Sequence, residues 1–499
     1  MKDFKETIIR GGVAKVTSQA TAFVVRIGAL IVLARLLEPK EFGLVGMVTA
    51  VIGVLNLFRD FGLSTATVQH ATVNDEQIST LFWINIVVGA LLGLLSLVAA
   101  PAIVVFYREP RLFWVTAVLA TGFLFNAAGV QHGAILQREM RFTTLAIIDV
   151  LTVVTSTAVG IGMALSHSGY WALVGMTISA PVVSTLCVWL STRWVPGRPR
   201  TQAEIRSMMR FGGTVTLNGL VVYIAYNFEK ILLGRYWGAA AIGIYGRAYQ
   251  LSSIPTENLN TSVGSVAFSA LSRLQDQPHR LKRYFLKGYS LVLALTLPIT
   301  IACALFANDA IAVFLGPKWR EAAPIFRLLA PTILIFAMIN PFSWLLYSIG
   351  LVGRSLKIAL VIAPVVIAGY LIGLPYGPKG VALGYSAAMM LWVVPHIIWC
   401  VHGTVISVRD VITTLSRPLL AGIVAGVVSY ATRSIYGPLL PPVLKFASEL
   451  CLFAIAYLSM LLCVLKQKAV YVDLLSGLRG ASRKAGEEMT PELSGVAND

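Results

Sequence analysis

Charge is scarce in this sequence. Asp, Glu, Lys and Arg make up 13% of its 499 residues, about half the roughly 25% found in soluble domains. So few charges cannot keep a whole surface wetted, which excludes an ordinary water-soluble enzyme or binding domain. Acidic residues are the rarer sign, 23 Asp and Glu against 40 Lys and Arg. Cysteine is limited to Cys187, Cys303, Cys400, Cys451 and Cys463, all within or at the ends of apolar stretches. None forms a Cys-x-x-Cys pair, so neither a disulfide framework nor a zinc site is indicated. The histidines form no His-Glu-x-x-His, and there is no Walker A loop, so ATP hydrolysis by that route is excluded. The sequence calls for no metal and no cofactor.

What fills the space is apolar. Hydrophobic residues are 57% of the chain and the mean hydropathy is +0.77. The apolar stretches recur at about 20 residues, the length of a helix crossing a hydrocarbon layer of about 30 Å. Reading them between charged or Pro/Gly breaks predicts spans over 13–37, 42–68, 79–107, 112–136, 142–165 and 170–194. After a basic linker, Arg193–Arg210, come 211–236, 240–270, 284–308, 323–350, 355–374 and 378–402, then 417–435 and 443–465. The chain therefore reads as an all-α polytopic membrane protein of about fourteen transmembrane helices. The segments 42–68 and 240–270 are the most polar of the set.

The formal charge of +17 would suggest nucleic acid in a soluble protein. Here it has a simpler source, since basic residues gather in cytoplasmic loops, and no nucleic acid is expected. With the N-terminus inside, the inner segments hold about 23 Lys and Arg and the outer ones about 8, which predicts cytoplasmic termini. The opening MKDFKETIIRGG reads as a charged amphipathic lead-in to a retained first span, with no cleavable signal peptide.

The two halves repeat weakly. Leu33, Arg35, Gly43 and Gly46 recur as Leu233, Arg235, Gly243 and Gly246, each 200 positions on, and Gly11-Gly12 recurs as Gly212-Gly213. The shared pattern falls at the same helix–loop–helix junction in each half. It predicts a six-helix lobe over 1–202, a second over 203–404, helices 13 and 14 over 405–466 and a polar cytoplasmic tail over 467–499. Repeats of six crossings point the same way, so a substrate site is expected between the lobes.

Ionisable residues inside spans are costly and mark function by default. The first span carries Lys15, Ser18, Gln19 and Arg26 on one helical face. The seventh carries Tyr223, Asn227, Glu229 and Lys230. The eighth carries Arg247, Gln250, Glu257, Asn258, Thr261 and Ser265, the second Arg59 and Asp60, and the fifth Asp149. Such stripes are tolerated where they line a wet cavity. Arg59-Asp60 and Glu229-Lys230 read equally as structural pairs near helix ends, and Asp149 as a helix–helix hydrogen-bonding group. Arg35 and Arg235 sit where they can snorkel. Gly89-x-x-x-Gly93 and Gly422-x-x-x-Gly426 fit close helix packing.

Several motifs fall in a recognisable order: LARLLEPKEFGLVGM (33–47), DFGLSTATVQ (60–69), STLFWIN (79–85), FYREPRL (106–112), QREMRF (137–142), NFEKILLGR (227–235), IGIYGRAYQL (242–251) and SRLQDQPHRLKRYFLKG (272–288). Over residues 10–400 the chain resembles the Wzx-like oligosaccharide flippases of the polysaccharide transporter family. It departs from the family's usual Asp at Glu229 and Pro near Ser269. The resemblance implies two six-helix lobes, as in multidrug and toxin extruders. It also implies an undecaprenyl-diphosphate-linked oligosaccharide as cargo, a bacterial inner membrane, and a polysaccharide polymerase and chain-length regulator as partners beside the membrane lipids. Arg26, Gln19, Arg59, Lys230, Arg247, Gln250 and Asn258 are the expected substrate-binding residues, and Asp60, Glu229 and Glu257 the expected ion-coupling acids. A cation-coupled small-molecule antiporter of the same fold is the alternative, but it would need an acidic cavity. An enzyme would need a catalytic constellation on a long outer loop, and the longest outer segment, 308–322, holds none.

Overall fold

A backbone in hydrocarbon has no water to bond, so each apolar run must satisfy its N–H and C=O groups within itself, as a helix. The computed structural model follows that rule. It describes residues 2–59, 64, 67, 74–199, 206–436, 441–465 and 467, without the side chains of 2–13, 206–219, 257–263, 265–266, 269, 352, 433–436 and 442. Among the described residues there is no strand. The helices are α1 (Lys2–Leu36), α2 (Pro39–Asn56), α3 (Asp75–Tyr107), α4 (Leu112–Arg138), α5 (Phe142–Leu165), α6 (Trp171–Thr192), α7 (Arg206–Ser272), α8 (Pro278–Leu305), the short α9 (Ala307–Phe314), α10 (Ala322–Ser348), α11 (Val352–Gly373), α12 (Gly377–Val401), α13 (Val408–Tyr436) and α14 (Pro442–Ser459). The long α7 is broken at Gly238, whose φ of 79° and ψ of −175° suit glycine and divide it into two arms.

Ten segments are long and apolar enough to cross a membrane, Gly353–Val401 being counted once although it contains both α11 and α12. The more polar α2 and the two arms of α7 complete about fourteen membrane-length crossings. Hydropathy located these helices closely but set some starts too late. α13 begins at Val408, ahead of the apolar run at 417, because Asp410 caps its first turn. The Asp410 carboxylate accepts the Ser407 backbone N–H at 2.8 Å and the Ser407 hydroxyl at 2.7 Å. α8 likewise opens on the polar turn PHRLKR. Apolarity marks the hydrocarbon portion of a helix, whereas caps mark its end.

The chain divides into two compact units. The first comprises Met1–Ala248, Phe314–Ile325 and Ala359–Tyr385; the second comprises Tyr249–Val313, Phe326–Ile358 and Ser386–Asp499. In the first, α1 packs on α5, α3 on α4, and α6 on both α4 and α5. Gly89 and Gly93 of α3 face the α4 backbone at Phe123 and Ala120, where a side chain would hold the helices apart. The extended segment after α6 is strapped to helix ends: the Gly197 N–H donates to Ser79 Oγ at 2.9 Å, and Trp83 Nε1 donates to the Gly197 carbonyl at 2.8 Å. Beneath it His132 stacks on Trp189 with ring centroids 4.3 Å apart.

In the second unit, α13 packs against α8 and α14. Gly422 and Gly426 of α13 sit against Leu297, Ile301 and Leu305 of α8. Pro298 interrupts α8 and so deprives the Ala294 carbonyl, four residues earlier, of its helical N–H. Tyr457 of α14 replaces it, its hydroxyl donating to that carbonyl at 2.8 Å. Ion pairs join Lys282 to Asp410 at 2.6 Å and Lys445 to Asp309 at 3.3 Å.

The repeat motif has a specific structural meaning. A β-carbon on Gly43 would overlap the carbonyl of Ala239, and one on Gly243 would overlap the carbonyl of Pro39. Pro39 and Ala239 are themselves 200 positions apart, so the contact is reciprocal: the start of α2 and the start of the second arm of α7 cross with glycine against backbone on both sides. Gly43→Ala or Gly243→Ala should therefore force the helices apart, at about 1–3 kcal/mol for an overpacked contact, and lower the melting temperature of the purified protein. Gly246→Ala, with nothing within 4 Å of its added carbon, should melt like the parent.

Candidate functional site

The crossing brings charge into the first unit. Arg247, one turn beyond Gly243, lies half-buried with its guanidinium carbon 4.0 Å from the centre of the Phe42 ring, well inside the range of a cation–π contact. Phe42 precedes Gly43 and is itself 6% exposed. Trp319, fully buried, meets its ring edge-on at 5.3 Å and 67°. The indole Nε1 donates to the Ala34 carbonyl at 2.7 Å. That carbonyl belongs to the last turn of α1, where helical partners run out, so Trp319 both caps α1 and backs Phe42. Neither Phe42 nor Trp319 carries charge, and a search for intramembrane ionisable residues passes over both.

The first arm of α7 holds the second group. Tyr223 reaches α2, its hydroxyl 3.3 Å from the carbonyls of Thr49 and Ala50, in the space left by Gly53. Asn227 Nδ2 donates to the Tyr223 carbonyl at 3.0 Å, and Lys230 Nζ donates to Asn227 Oδ1 at 2.6 Å. The hydrogen bond of Lys230 thus goes to Asn227, one turn back, and not to the adjacent Glu229. Glu229 is 1% exposed, and among the described residues no side chain hydrogen-bonds to its carboxyl oxygens. A carboxyl so placed is expensive and is retained only against a cost.

The remaining expected residues are more dispersed. Arg59 is half-buried and donates to Asn126 Oδ1 at 3.3 Å. On α1, Gln19 and Arg26 are exposed while Ser18 is buried. Lys15 pairs with Asp149 of α5 at 2.6 Å, each side chain about half exposed, so Asp149 does serve a helix–helix contact. Arg35 is exposed and Arg235 half-buried, the latter 5.8 Å from the Phe106 ring. Gln250 is exposed on the second arm of α7. Asp60 and the side chains of Glu257, Asn258, Thr261 and Ser265 lie outside the described residues. The structure thus joins Arg247 to α2 and Lys230 to Asn227, and it leaves Arg26 and Gln19 on an exposed face of α1. A buried polar residue that sequence reading missed is Asn85 of α3, inside the STLFWIN motif: it is fully buried, and among the described residues neither amide atom has a partner.

With this geometry in view, the comparisons are informative. Residues 32–324 match the family described as polysaccharide biosynthesis protein. The chain belongs to that family. It is 24% identical over 440 residues to the lipopolysaccharide biosynthesis protein WzxC of Escherichia coli K12, covering 86% of this chain and 88% of that one. Its fold is similar to that of the lipid II flippase MurJ in an inward closed conformation. That match has a TM-score of 0.74 and 15% identity and covers 94% of this chain and all of the other. A multidrug resistance MATE family transporter of the MOP superfamily, inward-facing, matches with a TM-score of 0.64 and 16% identity over 79% of this chain and 95% of its own. The chain is therefore a multi-pass helical membrane protein whose fold is that of the lipid II flippase MurJ and of the MATE family transporter.

The deeply buried Glu229 carboxyl yields a direct test. Replacing it with leucine removes a buried carboxyl that no described side chain satisfies, a penalty of about 1–3 kcal/mol. Glu229→Leu should thus raise the melting temperature of the purified protein. A clear fall would mean that the carboxyl has a stabilising partner.

Proposed function

We propose that this protein is a flippase for a lipid-linked oligosaccharide, moving an undecaprenyl-diphosphate-linked repeat unit from the inner to the outer leaflet of a bacterial inner membrane. The carrying observation is that one chain combines membership of a polysaccharide biosynthesis family with the fold of a lipid flippase along nearly its whole length. The relative WzxC, named for lipopolysaccharide biosynthesis, supports the same direction. On this reading both termini are cytoplasmic, the product feeds a polysaccharide polymerase and chain-length regulator, and the protein itself makes or breaks no covalent bond.

The physical problem is the head group. Each polar group carried unpaired through hydrocarbon costs several kcal/mol, so a diphosphate bearing sugars does not cross unaided. Polar helix faces in the two lobes, 1–202 and 203–404, remove that barrier by alternating access while the prenyl tail stays in lipid. Arg26, Arg247 and Lys230 hold the diphosphate or acidic sugars; arginine suits it because its planar fork gives two parallel hydrogen bonds to phosphate oxygens. Arg59, Gln19, Gln250 and Asn258 contribute further polar contacts. Glu229, Glu257 and Asp60 are the acids able to carry a coupling cation. The basic start of α8, Arg280 to Arg283, draws anionic heads to the cytoplasmic face. With inner termini, the glycine crossing lies at the outer face. The alternative, a cation-coupled small-molecule antiporter, shares the fold of the multidrug transporter. It accounts less well for arginines at the polar faces.

Losing charge-assisted hydrogen bonds worth about 1.5–3 kcal/mol each should lower transport at least about tenfold. Arg26→Ala and Arg247→Ala should therefore reduce surface polymer in cells by that factor at equal protein level, with Arg→Lys recovering part of it. Normal polymer in both alanine variants would refute the assignment.

A further inference from the structure

We propose that Lys15 and Asp149 form an exchange site for a lipid diphosphate, where the incoming diphosphate displaces the Asp149 carboxylate from Lys15 and singly charged phospholipid heads do not. The inference rests on the flippase reading above and gives a part in it to a pair whose packing contribution is small. Lys15, Gln19 and Arg26 lie on α1 at steps of four and seven residues, within about 40° of one another around the helix. Those steps rise along the axis by about 6 Å and about 10.5 Å. All three residues are exposed. Beside them, at the same spacing, runs a buried stripe of Ser18, Ala22 and Ala29. Charge exposed within a span is tolerated facing water and expelled from lipid. The column is therefore a wetted face that begins, with inner termini, at the inner end of α1.

The three are not partnered alike. Lys15 Nζ donates to Asp149 Oδ2 at 2.6 Å. Gln19 and Arg26 have no hydrogen bond or ion pair among the described residues. An acid thus stands at the first cation of the column and not at the deeper one. Packing does not require it. α1 already packs on α5, and an ion pair whose side chains are 47% and 50% exposed adds little to stability, because water solvates both charges. The same exposure makes the pair easy to open. What the carboxylate supplies is competition. It carries one negative charge and is tethered beside the lysine, at an effective concentration that a free lipid must exceed. A phosphodiester head, also singly charged, offers the lysine no stronger attraction. A diphosphate brings at least two charges and prevails. Lysine suits such a site because its ammonium is a point charge on a flexible stem, able to turn from Asp149 to the ligand. Arg26, further along the column, then takes the phosphates in its planar fork.

The test measures binding of undecaprenyl diphosphate to the purified full chain in two kinds of nanodisc, with melting temperature followed alongside. One is phosphatidylcholine alone; the other adds phosphatidylglycerol, a singly charged competitor. Lys15→Gln should weaken binding about tenfold in both. Asp149→Asn should tighten binding about threefold in phosphatidylcholine, and phosphatidylglycerol should then cost it at least about fivefold more than it costs the parent. Its melting temperature should stay close to the parent's. In a Lys15→Gln background Asp149→Asn should have no effect, since the acid acts only through that lysine. The same effect in both backgrounds, no effect of Asp149→Asn in either lipid, or a clear fall in its melting temperature with parental binding overturns the proposal. If Asp149→Asn does not fold, Asp149→Ser carries the same comparison. Parental binding by Lys15→Gln with weak binding by Arg26→Ala removes this site and leaves the flippase reading standing. No saturable binding by the parent sinks that reading and the inference with it.

Discussion

The constraint on which the first unit depends is a backbone-to-backbone contact. Gly43 against Ala239 and Gly243 against Pro39 bring two helices to a separation no side chain could share. In a membrane this type of packing has unusual weight. Lipid tails are as apolar as leucine, so helices gain little from hiding apolar surface and much from close fit. The two glycines therefore fix where α2 and the second arm of α7 cross. That crossing in turn fixes which side chains, one residue before and one turn after, face each other. The break at Gly238 allows the second arm of α7 to set out in the direction the crossing needs.

Much of this architecture was legible in the sequence, and for identifiable reasons. Hydropathy is read locally, so α3 to α6 and α10 to α12 were located within a few residues. The repeat was visible because glycine cannot be replaced where backbones touch, and a duplicated contact preserves it in both copies. What the pattern did not carry was the pairing. Trp319 and Ala34 are 285 positions apart, and nothing in either segment announces the other. Phe42 looked like one more apolar residue at a helix start. Glu229 and Lys230 are adjacent in sequence, and nothing there announces that the lysine's hydrogen bond goes to Asn227, one turn back.

The second unit meets the backbone problem from the opposite side. Proline removes a donor where glycine removes a side chain, and a freed carbonyl in an apolar interior must find another partner. Tyr457 provides it for Ala294, which explains how α14, a helix of ordinary apolar composition, is fixed in register on α8. A phenol buried among Phe306, Phe453 and Leu461 would otherwise leave its own hydroxyl unsatisfied. One bond settles both groups. Such pairings of a helix defect with a distant polar side chain give apolar helices specificity that composition cannot reveal.

Duplication explains how a charge could be introduced at the crossing. A repeated scaffold needs the same backbone contact in both copies, and the glycines keep it. The residues beside the glycines are under no such obligation. The first copy has Phe42 and Met47 there and the second has Ile242 and Arg247, so the cation of one copy meets the aromatic ring of the other. An arginine there is costly to bury, and the Phe42 ring, 4.0 Å from the guanidinium carbon, offsets part of that cost. Trp319 packs against the Phe42 ring and is tied to the end of α1, so α1, α2, the turn at Pro317–Trp319 and the second arm of α7 meet around one cation. Symmetry holds the backbone, and the departure from symmetry places the chemistry.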